Sequence, residues 1–280
     1  MNRLYILTLF LFVSLSLSAQ KTKELLILHT NDTHSRIEPV SVSDPDTMLA
    51  GRGGYVRRAT LIDSVRNKNK NVLLFDCGDF SQGSPFYNMF KGEVEINFMN
   101  QAGYDVVTIG NHEFDFGIDN LVSLFKMAKF DVVNCNYDFK GTPLEGLVKP
   151  YKIIKKDGLK IGVLGVGPKL KGLVQDKNYK GIEFNDPIKS AQDVATFLKK
   201  KEKCDIVIVL SHLGWEGKPY SDEILIPSTR DIDVVLGGHS HSYFDKPKYY
   251  KNLDGKMIPL QQMGKNDGFV GEIRAKFIKK

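Results

Sequence analysis

Short, continuously apolar runs recur along the chain, with amphipathic segments between them. The runs lie at residues 25–28, 72–75, 106–109, 132–133, 161–166, 206–210 and 234–236. Such runs are typical of strands that are buried on both faces of a sheet. The helical candidates between them lie at residues 56–66, 93–101, 121–129 and 188–200. This alternation predicts an α/β fold in which helices cover a largely parallel sheet.

The pattern changes after Tyr243. Three further runs follow, at residues 248–250, 257–263 and 268–277. Polar turn sequences at residues 252–255 and 265–267 separate these runs, which favours antiparallel pairing through tight turns. We therefore predict a C-terminal β-meander. No Pro/Ser-rich linker or repeat interrupts residues 20–280, so one domain is the simplest prediction for them.

The amino-terminal residues are set apart from this fold. A run of apolar residues at 4–17 follows Arg3 and ends in small residues before Gln20, as in a secretory signal peptide. We predict a signal peptide at residues 1–19, with cleavage after Ala19 and a periplasmic or secreted product. An uncleaved amino-terminal anchor is the alternative. The run is short for a membrane span, and no later run reaches that length, so we expect no stable membrane insertion.

Charge and cysteine content narrow the function classes. The 280 residues include 39 Lys and Arg against 33 Asp and Glu, a formal charge of +6 at pH 7. This surplus lies in Lys-rich segments without an aromatic-interleaved basic stripe, which argues against a nucleic acid polymer as partner. Cys77, Cys135 and Cys204 each lie beside an apolar run, so we interpret them as buried hydrophobic residues and not as a disulfide framework.

Side chains that can bind metal ions follow the predicted strands in a fixed order. They are Asp32 and His34, Asp79, Asn111 and His112, His212, and His239 and His241. In open α/β sheets, functional groups gather in the loops beyond the carboxyl ends of the strands, so these distant positions are expected to meet. Carboxylate, amide and imidazole groups in this arrangement predict a hydrolytic site with two metals.

The stretch IGNHEFDFG is the most specific of these. Asp115 lies three residues after His112, close enough to hydrogen-bond to the imidazole and orient it as a proton donor. A capped turn is the structural alternative for Asn111 and Asp115. We interpret Glu113 as structural. Asp76 is interpreted as a strand-end carboxylate that bonds loop amides, and not as a metal ligand.

Five motifs together resemble a known family. They are ILHTNDTHSR, LLFDCGDFSQGSPF, VTIGNHEFDFG, VLSHLG and GGHSH. This set is similar to that of the calcineurin-like dinuclear metallophosphoesterases, and specifically to the amino-terminal catalytic domain of periplasmic 5′-nucleotidases and UDP-sugar hydrolases. The resemblance covers residues 24–280. It implies a four-layer αββα sandwich with mixed, largely parallel sheets.

The resemblance also implies a role for each ligand. One metal would be held by Asp32, His34, Asp79 and His241, and the other by Asp79, Asn111, His212 and His239. Asp79 would bridge two divalent ions, for which the residue types permit Zn, Mn, Fe or Co. A hydroxide between the ions would attack phosphorus. His112 and Asp115 would form the catalytic dyad, and Asn111 would also touch the phosphate.

The implied function is exported, metal-dependent hydrolysis of phosphate esters, most similar to that of a 5′-nucleotidase. The alternatives within the fold are a phosphodiesterase, a nucleotide-sugar pyrophosphatase and a sulfur-ester hydrolase. The non-enzymatic alternative is a metal-bearing subunit that pairs with a separate substrate-binding chain.

Substrate recognition is where the sequence departs from the family. The periplasmic 5′-nucleotidases carry a second domain that stacks the base and grips the phosphate, whereas this sequence stops at Lys280. A separately encoded domain of that kind is therefore a predicted partner. Arg52, between two glycines in GRGGYVRR, is the residue we expect to contact an anionic substrate in its place.

Overall fold

Fourteen strands and six α-helices make up the computed structural model, which describes residues 22–278. The predicted signal peptide lies outside the described residues. The strands are β1 (Thr22–Thr30), β2 (Val72–Asp76), β3 (Val106–Thr108), β4 (Asp131–Val133), β5 (Tyr137–Asp138), β6 (Val148–Lys149), β7 (Tyr151–Lys156), β8 (Leu159–Val166), β9 (Glu183–Phe184), β10 (Ile206–Ser211), β11 (Val234–Leu236), β12 (Lys248–Lys251), β13 (Met257–Gln261) and β14 (Gly271–Ile278). The helices are α1 (Tyr55–Lys68), α2 (Pro85–Phe90), α3 (Glu93–Ala102), α4 (Gly117–Met127), α5 (Pro187–Thr196) and α6 (Asp222–Leu225).

Two six-stranded sheets hold most of these strands. The first sheet has the order β14-β1-β2-β3-β4-β6, and the second has the order β12-β13-β11-β10-β8-β7. The inner strands of both sheets pair in parallel. Antiparallel pairs lie at the margins, between β1 and β14, β7 and β8, and β12 and β13. The prediction of mixed, largely parallel sheets is confirmed.

The alternation of side chains along the strands explains how the layers stack. In β1, Leu25 and Ile27 pack in the core between the sheets, together with Phe75 and Ile208. The intervening residues of β1 point the other way and pack against residues of α1, α3 and α4. The outer face of the second sheet packs against α5 and α6. Helices therefore cover both outer faces, which gives the predicted αββα order.

The predicted C-terminal β-meander is wrong. β12 and β13 form an antiparallel pair, but β13 pairs in parallel with β11 on its other side. β14 leaves this sheet and pairs with β1 of the first sheet along its whole length, from Thr22 opposite Ile278 to His29 opposite Gly271. The inward residues of β14, such as Ile273, pack against the core between the sheets. β14 therefore removes the open edge that β1 would otherwise present.

The predictions about the cysteines and about a membrane span can be compared with the structure. The three cysteines are free; Cys77 and Cys204 are buried and Cys135 is half-buried. Within residues 22–278, no helix has both the length and the apolar character that a bilayer span requires.

Candidate metal centre

The loops that follow β1, β2, β3, β10 and β11 carry all the predicted ligands to one edge of the two sheets. Two groups of side chains form there, each with ligand atoms within 4.8 Å of one another. The first metal group consists of Asp32, His34 and His241, and the second metal group consists of Asp79, His212 and His239. Each group combines residues from both sheets. The relative position of the sheets therefore sets the geometry of both groups.

The first metal group is centred on one oxygen of Asp32. Its Oδ1 atom lies 3.9 Å from His34 Nε2 and 3.4 Å from His241 Nε2, and these two nitrogens are 3.0 Å apart. His34 Nδ1 lies 3.3 Å from the carbonyl oxygen of Ser81, to which it can donate. That tautomer leaves the Nε2 lone pair facing Asp32, as a metal ligand requires.

The second metal group shows the same arrangement with both partners buried. His212 Nδ1 donates to the Cys77 carbonyl at 2.6 Å, so Nε2 is the ring nitrogen that is left to bind a metal. This Nε2 atom lies 3.0 Å from Asp79 Oδ2 without hydrogen-bond geometry. A buried imidazole nitrogen and a carboxylate this close require a positive charge between them, which a bound metal ion would supply. The donor set thus fits a metal ion.

Asn111 adds a neutral oxygen to the site. Its Oδ1 atom is buried and has no hydrogen-bond partner among residues 22–278. Leaving a buried acceptor unsatisfied costs about 1–3 kcal/mol, so a metal ligand role accounts for its position. Next to it, the backbone N–H of His112 donates to Asp79 Oδ1 at 2.9 Å. Asn111 and His112 therefore lie beside Asp79, and the roles predicted for them stay predictions.

The backbone at the ligands adopts an unusual conformation. Asp32, His34, Asp79, His239 and His241 all have positive φ, between 47° and 72°. Non-glycine residues rarely adopt this conformation, which persists only where the surrounding structure enforces it. A Cβ atom at Gly110 would collide with the Asp79 carboxylate. The loops are therefore packed in a way that fixes the ligand directions.

The charges of the site favour a cation. Burial opposes protonation of His212, but Asp79 and then Asp32 outweigh it and raise the pKa of His212 to about 10. Burial lowers the pKa of His34, and it lowers the pKa of His239 to about 4, with the neighbouring His212 acting in the same direction. Asp79 and Asp32 thus hold a positive charge at His212, which a bound metal ion would supply in place of the proton, while His34 and His239 are neutral, the form that binds metals.

The predicted dyad lies beside the first metal group. His112 Nδ1 is 2.9 Å from Asp115 Oδ2, and both side chains are about one-third exposed. The His112 ring meets the His34 ring edge-on, with their centroids 5.5 Å apart. Burial works against protonation of His112, yet the hydrogen bond to Asp115 and the charge of Asp79 raise its pKa above the usual value. The geometry expected of an oriented proton donor is present.

Two further carboxylates have the structural roles that the sequence predicted. Glu113 is buried and accepts the backbone N–H groups of Asp79 at 2.9 Å, Ser81 at 3.1 Å and Gly110 at 2.7 Å. Asp76 accepts the N–H of Gly78 at 2.9 Å, and it also accepts a neighbouring strand-end hydroxyl. Both therefore shape the loop that presents Asp79.

Arg52 lies apart from the metal ligands. Its guanidinium is 5.0 Å from the ring centroid of Phe269, and that ring stacks on Tyr243 at 4.1 Å. Tyr243 follows His241 by two residues in the loop after β11. Sequence reasoning did not find Phe269 or Tyr243, since one aromatic residue in a polar loop carries no distinguishing signal. A substrate contact for Arg52 stays a prediction.

Comparison with known proteins decides the family. The sequence profile of the calcineurin-like phosphoesterases matches residues 25–243. The chain belongs to this family. It is 31% identical to the 5′-nucleotidase of Bos taurus, a match that spans 94% of this chain and 48% of that protein. The predicted family and enzyme class, a phosphoester hydrolase, are therefore confirmed.

Solved structures agree on the fold. The 5′-nucleotidase precursor from Thermus thermophilus is 32% identical, with a TM-score of 0.79 over 90% of this chain and 51% of that one. The calcineurin-like phosphoesterase YfkN from Bacillus subtilis is 29% identical, with a TM-score of 0.77 over 93% of this chain and 87% of that one. The chain spans about half the length of the curated relatives it matches. Together with the two metal groups, the family indicates a centre of two divalent ions.

Proposed function

We propose that this phosphoesterase is an exported phosphomonoesterase of the 5′-nucleotidase type, which removes phosphate from a nucleotide or a related ester. The observation that carries the proposal is the His112–Asp115 pair beside two groups of metal ligands. A protein that only binds metal has no need of a positioned proton donor. The pair therefore favours an enzyme over the alternative of a non-enzymatic subunit.

The ligands divide between two ions that share Asp79. We assign Asp32, His34, Asp79 and His241 to one ion, and Asp79, Asn111, His212 and His239 to the other. When bound, two divalent ions, whether Zn, Mn, Fe or Co, would clamp a phosphoryl oxygen and supply a bridging hydroxide near neutral pH. The contribution of the chain is to hold these donors in fixed directions through the strained loops described above.

The dyad acts on the leaving group. Asp115 accepts a hydrogen bond from the Nδ1–H of His112, which leaves the Nε2 atom of the ring to face the substrate. With its pKa raised, His112 carries a proton that it can donate to the leaving oxygen as the ester bond breaks. The amide N–H₂ of Asn111 is free to contact the phosphate when its Oδ1 binds metal. Arg52 is the further proposed contact.

Localisation and partners are also part of the proposal. The apolar run at residues 4–17 supports export to the periplasm or the cell exterior. The relatives that bear the name 5′-nucleotidase are about twice as long as the matched region, so their activity belongs to larger proteins. We also propose that a separately encoded domain recognises the nucleotide base.

The deciding experiment is hydrolysis by the purified mature protein with Mn²⁺, Zn²⁺ or Co²⁺. The substrates are 4-nitrophenyl phosphate, AMP, bis(4-nitrophenyl) phosphate and UDP-glucose, and the variant is His112→Ala. We expect monoester hydrolysis that falls by about 10²- to 10⁴-fold in the variant, because a positioned general acid contributes that much. A His29→Gln variant, changed at a buried histidine outside the site, should keep its rate.

Two outcomes would contradict the proposal. No turnover of any phosphate ester would remove the enzymatic function, and equal activity of His112→Ala would remove the dyad. Faster hydrolysis of the diester or of the sugar pyrophosphate would instead favour those alternatives.

A further inference from the structure

Asn31 connects the two sheets directly behind a metal ligand. It follows β1 of the first sheet, and only 2% of its surface is exposed. Its Oδ1 atom accepts the N–H of Met263 at 2.8 Å, and its Nδ2 atom donates to the carbonyl oxygen of Gly264 at 2.8 Å. Met263 and Gly264 follow β13 of the second sheet. The amide side chain therefore bonds across the two sheets at the edge where the metal groups lie.

The same amide controls one oxygen of Asp32. Asn31 Nδ2 donates to Asp32 Oδ2 at 2.6 Å. The N–H of His239 also lies 2.9 Å from Oδ2, and 3.1 Å from Oδ1. The Oδ2 atom is thus held by two donors, while Oδ1 faces the imidazoles of the first metal group. A third bond ties the loop, since the N–H of Asn266 donates to the Asp32 carbonyl oxygen at 2.8 Å.

We propose that Asn31 is a positioning residue for the metal centre. By tying Asp32 to the connection between β13 and β14, it presents one carboxylate oxygen to the metal and holds the first-sheet ligands of that group against His241 from the second sheet. The inference rests on the proposed metal centre. Without the amide, the Asp32 carboxylate can rotate, and one contact that aligns the sheets is lost.

The chain offers a matched control in Asn136. This residue is also fully buried, and its side chain makes the same pair of bonds to one residue of the second sheet's loops. Its Nδ2 atom donates to the Gly167 carbonyl at 3.0 Å, and its Oδ1 atom accepts the Gly167 N–H at 2.8 Å. Within residues 22–278, it has no hydrogen bond to a predicted metal ligand. Asn136 therefore reproduces the structural contact without the contact to Asp32.

The experiment compares Asn31→Ala, Asn136→Ala and the wild type. Bound Mn²⁺ or Co²⁺ is counted after dialysis, its affinity is measured by chelator competition, and thermal unfolding is recorded for the metal-free proteins. Both variants should lose thermal stability to a similar extent. Asn31→Ala alone should bind one of the two ions about 10- to 100-fold more weakly, as is typical when a group that orients a ligand is removed.

Other outcomes overturn the inference. If Asn31→Ala binds both ions as tightly as the wild type, or if Asn136→Ala weakens binding equally, Asn31 has no specific role. A wild type that binds no metal would instead remove the proposed centre together with this inference. Should Asn31→Ala fail to fold, Asn31→Ser, whose hydroxyl can still make a local hydrogen bond, is judged by the same two results.

Discussion

The two metal groups lie at the same edge but differ in burial and support. In the second metal group, the side chains of His212 and Asp79 are 0% and 2% exposed. In the first, the side chain of His241 is 36% exposed. The Cys77 carbonyl orients His212, and Glu113 bonds the backbone of Asp79. We infer that the second group is the more rigid of the two and binds its ion more tightly than the first.

The largest effect is expected from Asp79→Asn. This change would damage both metal groups and so remove the difference between them. The change keeps the size of the side chain but removes the charge that faces His212 and that both ions are proposed to share. Bound metal should fall below two equivalents, and hydrolysis should fall by about 10³-fold or more, since metal ions contribute several kcal/mol to such reactions.

Asp76→Asn is the matched control for this change. It alters a buried carboxylate three positions earlier that bonds a loop amide and not a ligand. The control should keep both ions. Retention of two equivalents by Asp79→Asn itself would show that Asp79 does not bridge the groups.

A smaller effect is expected from Glu113→Ala, which tests whether support from the backbone makes the second group rigid. The change leaves three buried N–H groups without their acceptor, so we expect a loss of about 3–5 kcal/mol in the free energy of unfolding. Urea unfolding of the metal-free protein measures it. Glu145→Ala removes an exposed acceptor of one N–H and should cost less than about 1 kcal/mol. Equal costs for the two variants would refute the supporting role.

The smallest effect is expected from His241→Ala, which tests whether the first metal group binds its ion more weakly than the second. Because His241 is partly exposed, its loss should weaken the binding of one ion by about 10- to 100-fold and leave the other ion bound. His212→Ala, measured in parallel by chelator competition, should weaken metal binding more. If His241→Ala proved the more damaging of the two, the inferred order of the groups would be reversed.

The strands and the clustering of the candidate ligands were predictable from sequence because the physical signals are local. Continuous apolar runs such as that of β10 indicate burial on both faces, and His212 follows directly where that run ends. Parallel strands bring their carboxyl ends to one edge, so residues far apart in sequence could be expected to meet there.

Other features were not predictable because they depend on distant partners. The alternation in β14 fits pairing with any half-buried strand, and only the folded chain shows that its partner is β1. α4 begins at Gly117, four residues before the predicted start, because Ile118 is the one apolar residue in this first turn and does not by itself give a helical periodicity. In the sequence, Asn31 cannot be distinguished from an ordinary loop residue. Its hydrogen bonds go to the main chain of residues more than 200 positions away.

The pairing of β1 with β14 also fixes where the ends of the described chain emerge. Thr22 and Ile278 lie side by side, at the end of β1 opposite Asp32. Nine residues of strand separate that end from the metal loop, a distance of about 30 Å. A domain fused after Ile278 would need a tether of that length to reach the metal groups, whereas a separate polypeptide could approach them without one. Joining these two positions would permit circular permutation of residues 22–278, with new termini placed far from the metals.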